Sequence, residues 1–188
     1  MLLRDLESIL FHEATILARL EELGRQVTAD YAGMELTVVA VLHGSVVFLA
    51  DLLRRIHLPV RMECISVASY HGGTVSSGRI EFNQLRLPDL RGQHVLVLDD
   101  ILDSGRTLHA ISNRLLEECE PLSVRHCVLL DKKRDREVEV ETDYVGFEVD
   151  DCFVVGYGLD YKGRYRNLPL VGTLRKELLV AADEKEEK

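Results

Sequence analysis

No stretch of the 188 residues is long and apolar enough to cross a bilayer. The run Leu36–Leu42 falls far short of the roughly 20 residues that a membrane helix needs. A secretory signal is not expected either, because Asp5 and Glu7 stand where such a leader carries positive charge. Cations are in the minority, 23 Lys and Arg against 32 Asp and Glu, for a net charge of −9. Nucleic-acid binding draws most of its affinity from Lys and Arg on phosphates, so the balance argues against a nucleic-acid partner. The expected location is cytoplasmic, away from membranes. Cysteine is sparse. Cys64, Cys119, Cys127 and Cys152 contain no CxxC pair and no metal-finger spacing, and are expected as buried thiols rather than disulfides. The histidines show no HExxH spacing. Internal repeats and composition breaks are also missing, so residues 1–188 read as one domain with a single substantial core. The charged tail, residues 182–188, is expected to fray.

What is present is an alternation of helical and strand patterns. Ile16, Leu20, Leu23 and Val27 recur at three- and four-residue steps, which predicts an amphipathic helix from about Glu13 to Tyr31. Leu36–Leu42 is apolar on both faces, as a strand buried in a parallel sheet must be, and His43-Gly44-Ser45 breaks it. A second helix is expected from Val46 to Ile56, burying Leu49, Leu52, Leu53 and Ile56, with a strand from Arg61 to Ala68 beyond Pro59. Ser69 to Gly78 is too poor in apolar side chains to pack and reads as a mobile loop. Then come a marginal strand Ile80–Leu85, a buried strand His94–Leu98, a helix Gly105–Glu118 burying Leu108, Ile111, Leu115 and Leu116, and a buried strand Val124–Leu130. Short strands follow at Tyr144–Phe147 and Phe153–Val155. The fold class is therefore α/β, a mostly parallel twisted sheet flanked by helices. Ligands of such sheets lie beyond the carboxyl ends of the strands, so the residues after Leu42, Leu98, Leu130 and Val155 are where chemistry is expected.

After Leu98 stand two adjacent carboxylates, Asp99 and Asp100, then Asp103, and then Ser104-Gly105-Arg106-Thr107 opening a helix. Unpaired N–H groups at a helix start bind anions, Gly105 lets backbone approach a phosphate, and the Ser104 and Thr107 hydroxyls with Arg106 add donors. Carboxylates beside such a cup are costly unless hydroxyls or a cation lie between, which suggests a sugar phosphate accompanied by a metal ion. An Asp-x-x-Ser by itself would be an ordinary helix cap. Three acids followed by Ser-Gly-x-Thr after a buried strand point instead to the phosphate site.

Residues 95–108, Val-Leu-Val-Leu-Asp-Asp-Ile-Leu-Asp-Ser-Gly-Arg-Thr-Leu, resemble the phosphoribosyl-pyrophosphate motif of the type I phosphoribosyltransferases. Further segments are similar to the hypoxanthine-guanine branch of that family: Leu42-His43-Gly44-Ser45 with Phe48 to Leu52, Ser69-Tyr70, and Leu129-Leu130-Asp131-Lys132 through Arg136. The longest runs from Asp143-Tyr144-Val145-Gly146-Phe147-Glu148 through Phe153-Val154-Val155 and Asp160-Tyr161 to Arg166 and Pro169. The resemblance covers roughly residues 15 to 175 in the family's order and spacing.

The resemblance implies a phosphoribosyltransferase fold with a small hood formed by the terminal segments. It also implies transfer of the phosphoribosyl group of phosphoribosyl pyrophosphate to hypoxanthine or guanine, giving IMP or GMP and pyrophosphate, with Mg2+ as cofactor. Asp99, Asp100, Asp103, Ser104, Gly105, Arg106 and Thr107 would hold the ribose and its 5′-phosphate, with Asp103 the general base at purine N7. Lys132 would donate to the purine 6-oxo group, Phe153 would stack on the base, and Val154 would read its edge. Asp160 would stand by the purine and, with Asp99 and Asp100, bind magnesium. His43, Gly44, Ser45 and Arg166 would meet pyrophosphate. Where the family commonly has Lys or Arg before Gly44, at a position preceding a tight and often cis peptide, this chain has His43, so Arg166 and magnesium are expected to carry more of the charge there. Ser69 and Tyr70 would ride on a lid that excludes water. A homodimer or homotetramer is the assembly the family implies. Two rivals are an RNA-binding regulator on the same fold, which the net charge disfavours, and an enzyme for another base, which Lys132 with Phe153-Val154 disfavours.

Overall fold

The apolar runs do pair, and mostly in parallel. A computed structural model describes residues 2–69, 80–83 and 87–179. In chain order it contains β1 (Leu6–Phe11), α1 (Glu13–Asp30), β2 (Leu36–Leu42), α2 (Val46–Leu53), β3 (Val60–Ser69), β4 (Ile80–Phe82), β5 (His94–Leu102), α3 (Arg106–Cys119), β6 (Ser123–Lys133), β7 (Tyr144–Asp150), β8 (Val154–Val155) and β9 (Val171–Leu174). Strands β3, β2, β5, β6 and β7 lie side by side in that order, all parallel, with β4 antiparallel on the margin of β3. The expected α/β sheet flanked by helices is the observed one.

Side chains alternate faces along a strand, so each buried strand feeds two cores. Val38, Ala40, Leu96, Leu98 and Leu129 pack with Ile16, Leu20, Leu23 and Val27 of α1 and Phe48, Leu49 and Leu52 of α2. Val39, Val41, Val95, Val97 and Val128 point the other way, onto Leu108, Ile111 and Leu115 of α3. Helix α1 has no side-chain cap at His12, so packing fixes it. Its four fully buried aliphatic residues, at about 1.5–3 kcal/mol each, contribute on the order of 6–12 kcal/mol.

Several boundaries and buried positions differ from the sequence pattern. Helix α2 ends at Leu53, and Phe48 rather than Leu53 completes its buried face. Leu116 is 52% exposed. The buried stripe of α3 runs Leu108, Ile111, Leu115, Cys119, and Leu116 falls one 100° step off it. Strands β5 and β6 run past Leu98 and Leu130, to Leu102 and Lys133. Strand β4 stops at Phe82. Val155 does not end a strand of the parallel sheet. Strand β8 belongs to a separate three-stranded antiparallel sheet, ordered β1-β9-β8. Leu6, Val155, Leu168, Leu170 and Leu174 form its small core. This sheet, two of whose strands come from the ends of the described chain, is the expected hood. None of the four cysteines is in a disulfide; Cys119 and Cys127 are buried as expected, whereas Cys64 and Cys152 are only half-buried. Among the described residues no helix is long and apolar enough to cross a membrane. Ser69 ends β3, whereas the rest of the expected lid loop, with Tyr70, and the 182–188 tail lie outside the described residues.

The topology locates the crevice. From β2 the chain moves to β3 on one side and later returns to place β5 on the other. The carboxyl ends of β2 and β5 thus flank the point where the winding direction reverses, which is where ligands of such sheets lie.

Candidate active site

Two segments meet at that reversal. Beyond β2 comes a cis peptide bond between Leu42 and His43, which precedes His43 rather than following it. Gly44 then passes so close to β5 that a Cβ on it would lie 1.6 Å from Asp100 Oδ2. Only glycine allows that approach. His43 is exposed. Ser45 is fully buried, and its hydroxyl donates to the Val41 carbonyl, so only its backbone is left for an anion.

The paired acids were expected just beyond a strand and are instead within one. Asp99 lies opposite Val128 in the β5–β6 ladder and is 6% exposed, while its Oδ1 accepts from the Asp100 amide at 3.0 Å. Burial, and then the neighbouring Asp100 charge, holds the Asp99 carboxyl well above the usual carboxylate range. Burial also raises Asp100, and Arg166 is among the groups that pull it back down. A buried acid pair held this way favours whatever brings hydroxyl donors or positive charge to it.

Arg166 supplies a cation from the far side. It belongs to a turn-rich stretch whose backbone closes through Tyr157 N to Leu168 O at 2.8 Å and Gly158 N to Arg166 O at 3.0 Å. Its guanidinium donates to the Gly158 carbonyl at 2.7 Å and pairs with Asp160 Oδ1 at 2.7 Å. The other Asp160 oxygen accepts from the Gly163 amide at 2.7 Å. Among the described residues no three His, Cys, Asp or Glu side chains form a group able to hold a metal. Asp160, expected with Asp99 and Asp100 as a magnesium ligand, is paired here with Arg166 and with its own turn.

The phosphate cup follows β5. Gly105, at φ +81°, is the residue before α3, and a Cβ there would meet the Val138 carbonyl at 2.0 Å. The Ser104 carbonyl accepts from the Val138 amide at 3.1 Å, so the segment after β6 braces the loop. Arg106 pairs with Glu137. Thr107 lies in the first turn of α3, whose early amides have no partner within the helix.

Lys132, near the end of β6, reaches Asp103 across the sheet top: its Nζ donates to Asp103 Oδ2 at 2.9 Å. Its side chain is only 11% exposed, so it is not the solvated surface lysine that its Lys-Lys-Arg run resembles. Two residues not singled out from the sequence join them. Arg134 donates to Asp103 Oδ1 at 2.9 Å, and Asp151 lies 3.5 Å from Lys132 Nζ. Lone charges in a charged run carry no sequence signal of such pairing. Two residues along the chain from Asp151, Phe153 is 43% exposed and meets Tyr161 edge-on at 5.4 Å. Val154 is buried and paired to Thr173 of β9.

The arrangement offers a glycine-led helix start, a pair of adjacent acids, a forked cation, a partly buried lysine and, two residues along the chain from that lysine's counter-ion Asp151, an exposed ring. The model of the phosphoribosyl transferase domain family matches residues 8–162. The chain is 44% identical to the hypoxanthine-guanine phosphoribosyltransferase of Streptococcus pneumoniae over 178 residues, 95% of this chain and 98% of that one. Among solved structures, a hypoxanthine phosphoribosyltransferase from Staphylococcus aureus superposes with a TM-score of 0.88 at 41% identity, covering 94% of this chain and 96% of the other. The hypoxanthine phosphoribosyltransferase of Trypanosoma cruzi does so with a TM-score of 0.87 at 36% identity, covering 95% and 96%.

Proposed function

The chain belongs to the phosphoribosyl transferase family, and from that premise we infer a purine salvage enzyme that transfers phosphoribosyl from phosphoribosyl pyrophosphate to hypoxanthine or guanine. Relatives of nearly the same length that bear this activity in their names support the reading. The observation that carries it to particular residues is the 2.9 Å contact between Asp103 and Lys132. It joins the phosphate cup, which starts at Asp103, to a buried-stem lysine able to donate to a 6-oxo group.

In this reading the Ser104–Thr107 loop and the start of α3 take the 5′-phosphate, and Asp99 and Asp100 accept from the ribose hydroxyls. The purine lies on Phe153, its edge read by the Val154 backbone and its 6-oxo oxygen accepting from Lys132. Asp103 draws the proton from N7 as N9 bonds to C1′ and the bond from C1′ to the pyrophosphate oxygen breaks, through a transition state of oxocarbenium character. Gly44, His43 and Arg166 face the departing pyrophosphate. A 6-amino base offers Lys132 no acceptor, which selects against adenine.

The residues fit Mg2+. This ion is commonly held by one or two carboxylates together with substrate phosphates, so no three-residue cage is needed. Asp160 keeps lone pairs beyond those facing Arg166 and Gly163, and the Asp99–Asp100 pair offers hard oxygens whose mutual repulsion a cation relieves. When bound, the ion offsets charge on the leaving pyrophosphate. A cytoplasmic location accords with the buried free thiols Cys119 and Cys127, and a homodimer or homotetramer with the family. An absorbance assay with phosphoribosyl pyrophosphate, magnesium and each base in turn tests the reading. Nucleotide should form with hypoxanthine and guanine and not with adenine; no product from any 6-oxopurine would refute it.

A further inference from the structure

Four charged side chains over the ends of β5 and β6 close a ring in which cation and anion alternate. Asp103 takes Lys132 on Oδ2 and Arg134 on Oδ1, each at 2.9 Å. On the far side Asp151 Oδ1 stands 3.5 Å from Lys132 Nζ and 3.7 Å from Arg134. Asp103 and Lys132 already have work on the base; Asp151 and Arg134 have none.

We infer that Asp151 is a positioning residue for purine recognition, aiming the Lys132 ammonium at the 6-oxo group while Arg134 keeps Asp103 paired. This rests on the reading that Lys132 meets that group. An ammonium carries three N–H donors on one freely rotating bond. Asp103 accepts one, and the Asp151 carboxylate, at ion-pair distance of 3.5 Å on another side, pulls the head toward itself by charge and leaves the remaining N–H groups for a ligand. Because the lysine stem is only 11% exposed, the head has little other freedom. Without Asp151 the ammonium has a single anion to follow and settles on Asp103, so donor and base occupy each other. A 6-oxopurine would then have to draw Lys132 away with no counter-ion on the purine side. Arg134 serves the opposite edge: when Lys132 turns to the base, Asp103 still holds one cation and its carboxylate stays in place. The ring is neutral as a whole, so it adds no net attraction for phosphate where the base belongs. Asp151 is also two residues before Phe153, which ties the aim of the lysine to the position of the ring on which the purine stacks.

The test is steady-state kinetics on Asp151→Ala, Asp151→Asn, Lys132→Ala and the Lys132→Ala/Asp151→Ala double variant, with thermal unfolding as a check on the fold. Side chains 49% and 37% exposed, as Asp151 and Arg134 are, interact through partly screened charge. The KM for hypoxanthine should therefore rise about three- to tenfold in Asp151→Ala, with the KM for phosphoribosyl pyrophosphate and kcat within about twofold. Asp151→Asn, which keeps an acceptor but not the charge, should fall between, and it decides the matter if the alanine variant does not fold. In the Lys132→Ala background Asp151→Ala should change nothing further. An unchanged KM for hypoxanthine in the Asp151 variants, or the same rise with Lys132 absent, overturns the inference while leaving the Lys132 reading intact. If Lys132→Ala itself leaves that KM unchanged, the Lys132 reading fails and the inference falls with it.

Discussion

Replacing Asp99 by Asn should make the free protein more stable and the enzyme worse. Asp99 is 6% exposed, and it is raised well above the usual carboxylate range by burial and by Asp100. Asn has nearly the same shape and keeps the oxygen that accepts from the Asp100 amide at 3.0 Å, so the substitution removes charge and little else. A buried charged acceptor without adequate partners costs about 1–3 kcal/mol, and a gain of that order is expected once the pH stands above the raised folded pKa of Asp99. Each kcal/mol moves Tm by roughly 2–4 °C in a chain of this size. The pH dependence fixes the cause. A carboxyl whose folded pKa is raised binds its proton more tightly folded than unfolded. The native protein therefore loses stability as pH climbs from about 3.9, the unfolded value, through the raised folded one. The Asn variant lacks that slope, so the difference opens across this window and is greatest above it. Asp100, also raised by burial, keeps a slope of its own in both proteins. Loss of one charge-assisted acceptor for the ribose hydroxyls should lower kcat/KM about tenfold to a hundredfold. Thermal unfolding followed by circular dichroism from about pH 4 to 8 gives both curves. Parallel curves, or a variant less stable at neutral pH, would refute the reasoning.

Asp103→Asn should reduce kcat about a hundredfold to ten-thousandfold while Tm and the KM for phosphoribosyl pyrophosphate hold, because shape is kept and the base is lost; pre-steady-state product formation would show the chemical step slowed. Arg166→Lys cannot reach the Gly158 carbonyl and Asp160 together as the guanidinium does at 2.7 Å to each. It should raise the KM for phosphoribosyl pyrophosphate about tenfold and leave that for hypoxanthine nearly unchanged, as initial rates against each substrate will reveal. Leu115→Ala, at a fully buried position under the sheet, should cost about 2–5 kcal/mol in urea unfolding without altering substrate preference.

The sequence pattern located the parallel sheet because strands buried on both faces must be continuously apolar, as Leu36–Leu42 and Val95–Leu98 are. It located the phosphate cup because glycine and hydroxyls at a helix start have few other reasons to follow three acids. It missed β1, whose residues between Leu6 and Phe11 are exposed, and β9, only four residues long. Neither has a pattern that betrays the other, 160 or more residues away. The extension of β5 through Asp99 and Asp100 was hidden for another reason: acids are poor strand formers, and only pairing with β6 keeps them extended. Arg134 and Asp151 looked like solvated charge because their partners come from other elements. Ser45, expected at the pyrophosphate site, has its hydroxyl donating to the carbonyl of Val41, a pairing that no sequence pattern announces.

The β1–β9 pairing sets an order of assembly. Leu6 lies against Leu174 in that ladder, whereas every strand of the parallel sheet has been made by Asp150. A chain emerging from the ribosome can thus close the sheet that carries the Asp99 to Thr107 segment while the strand supporting Val154 is still to come. Newly made protein would hold the Asp99 to Thr107 segment, with Lys132 on β6 beside it, before Val154 has its β9 partner.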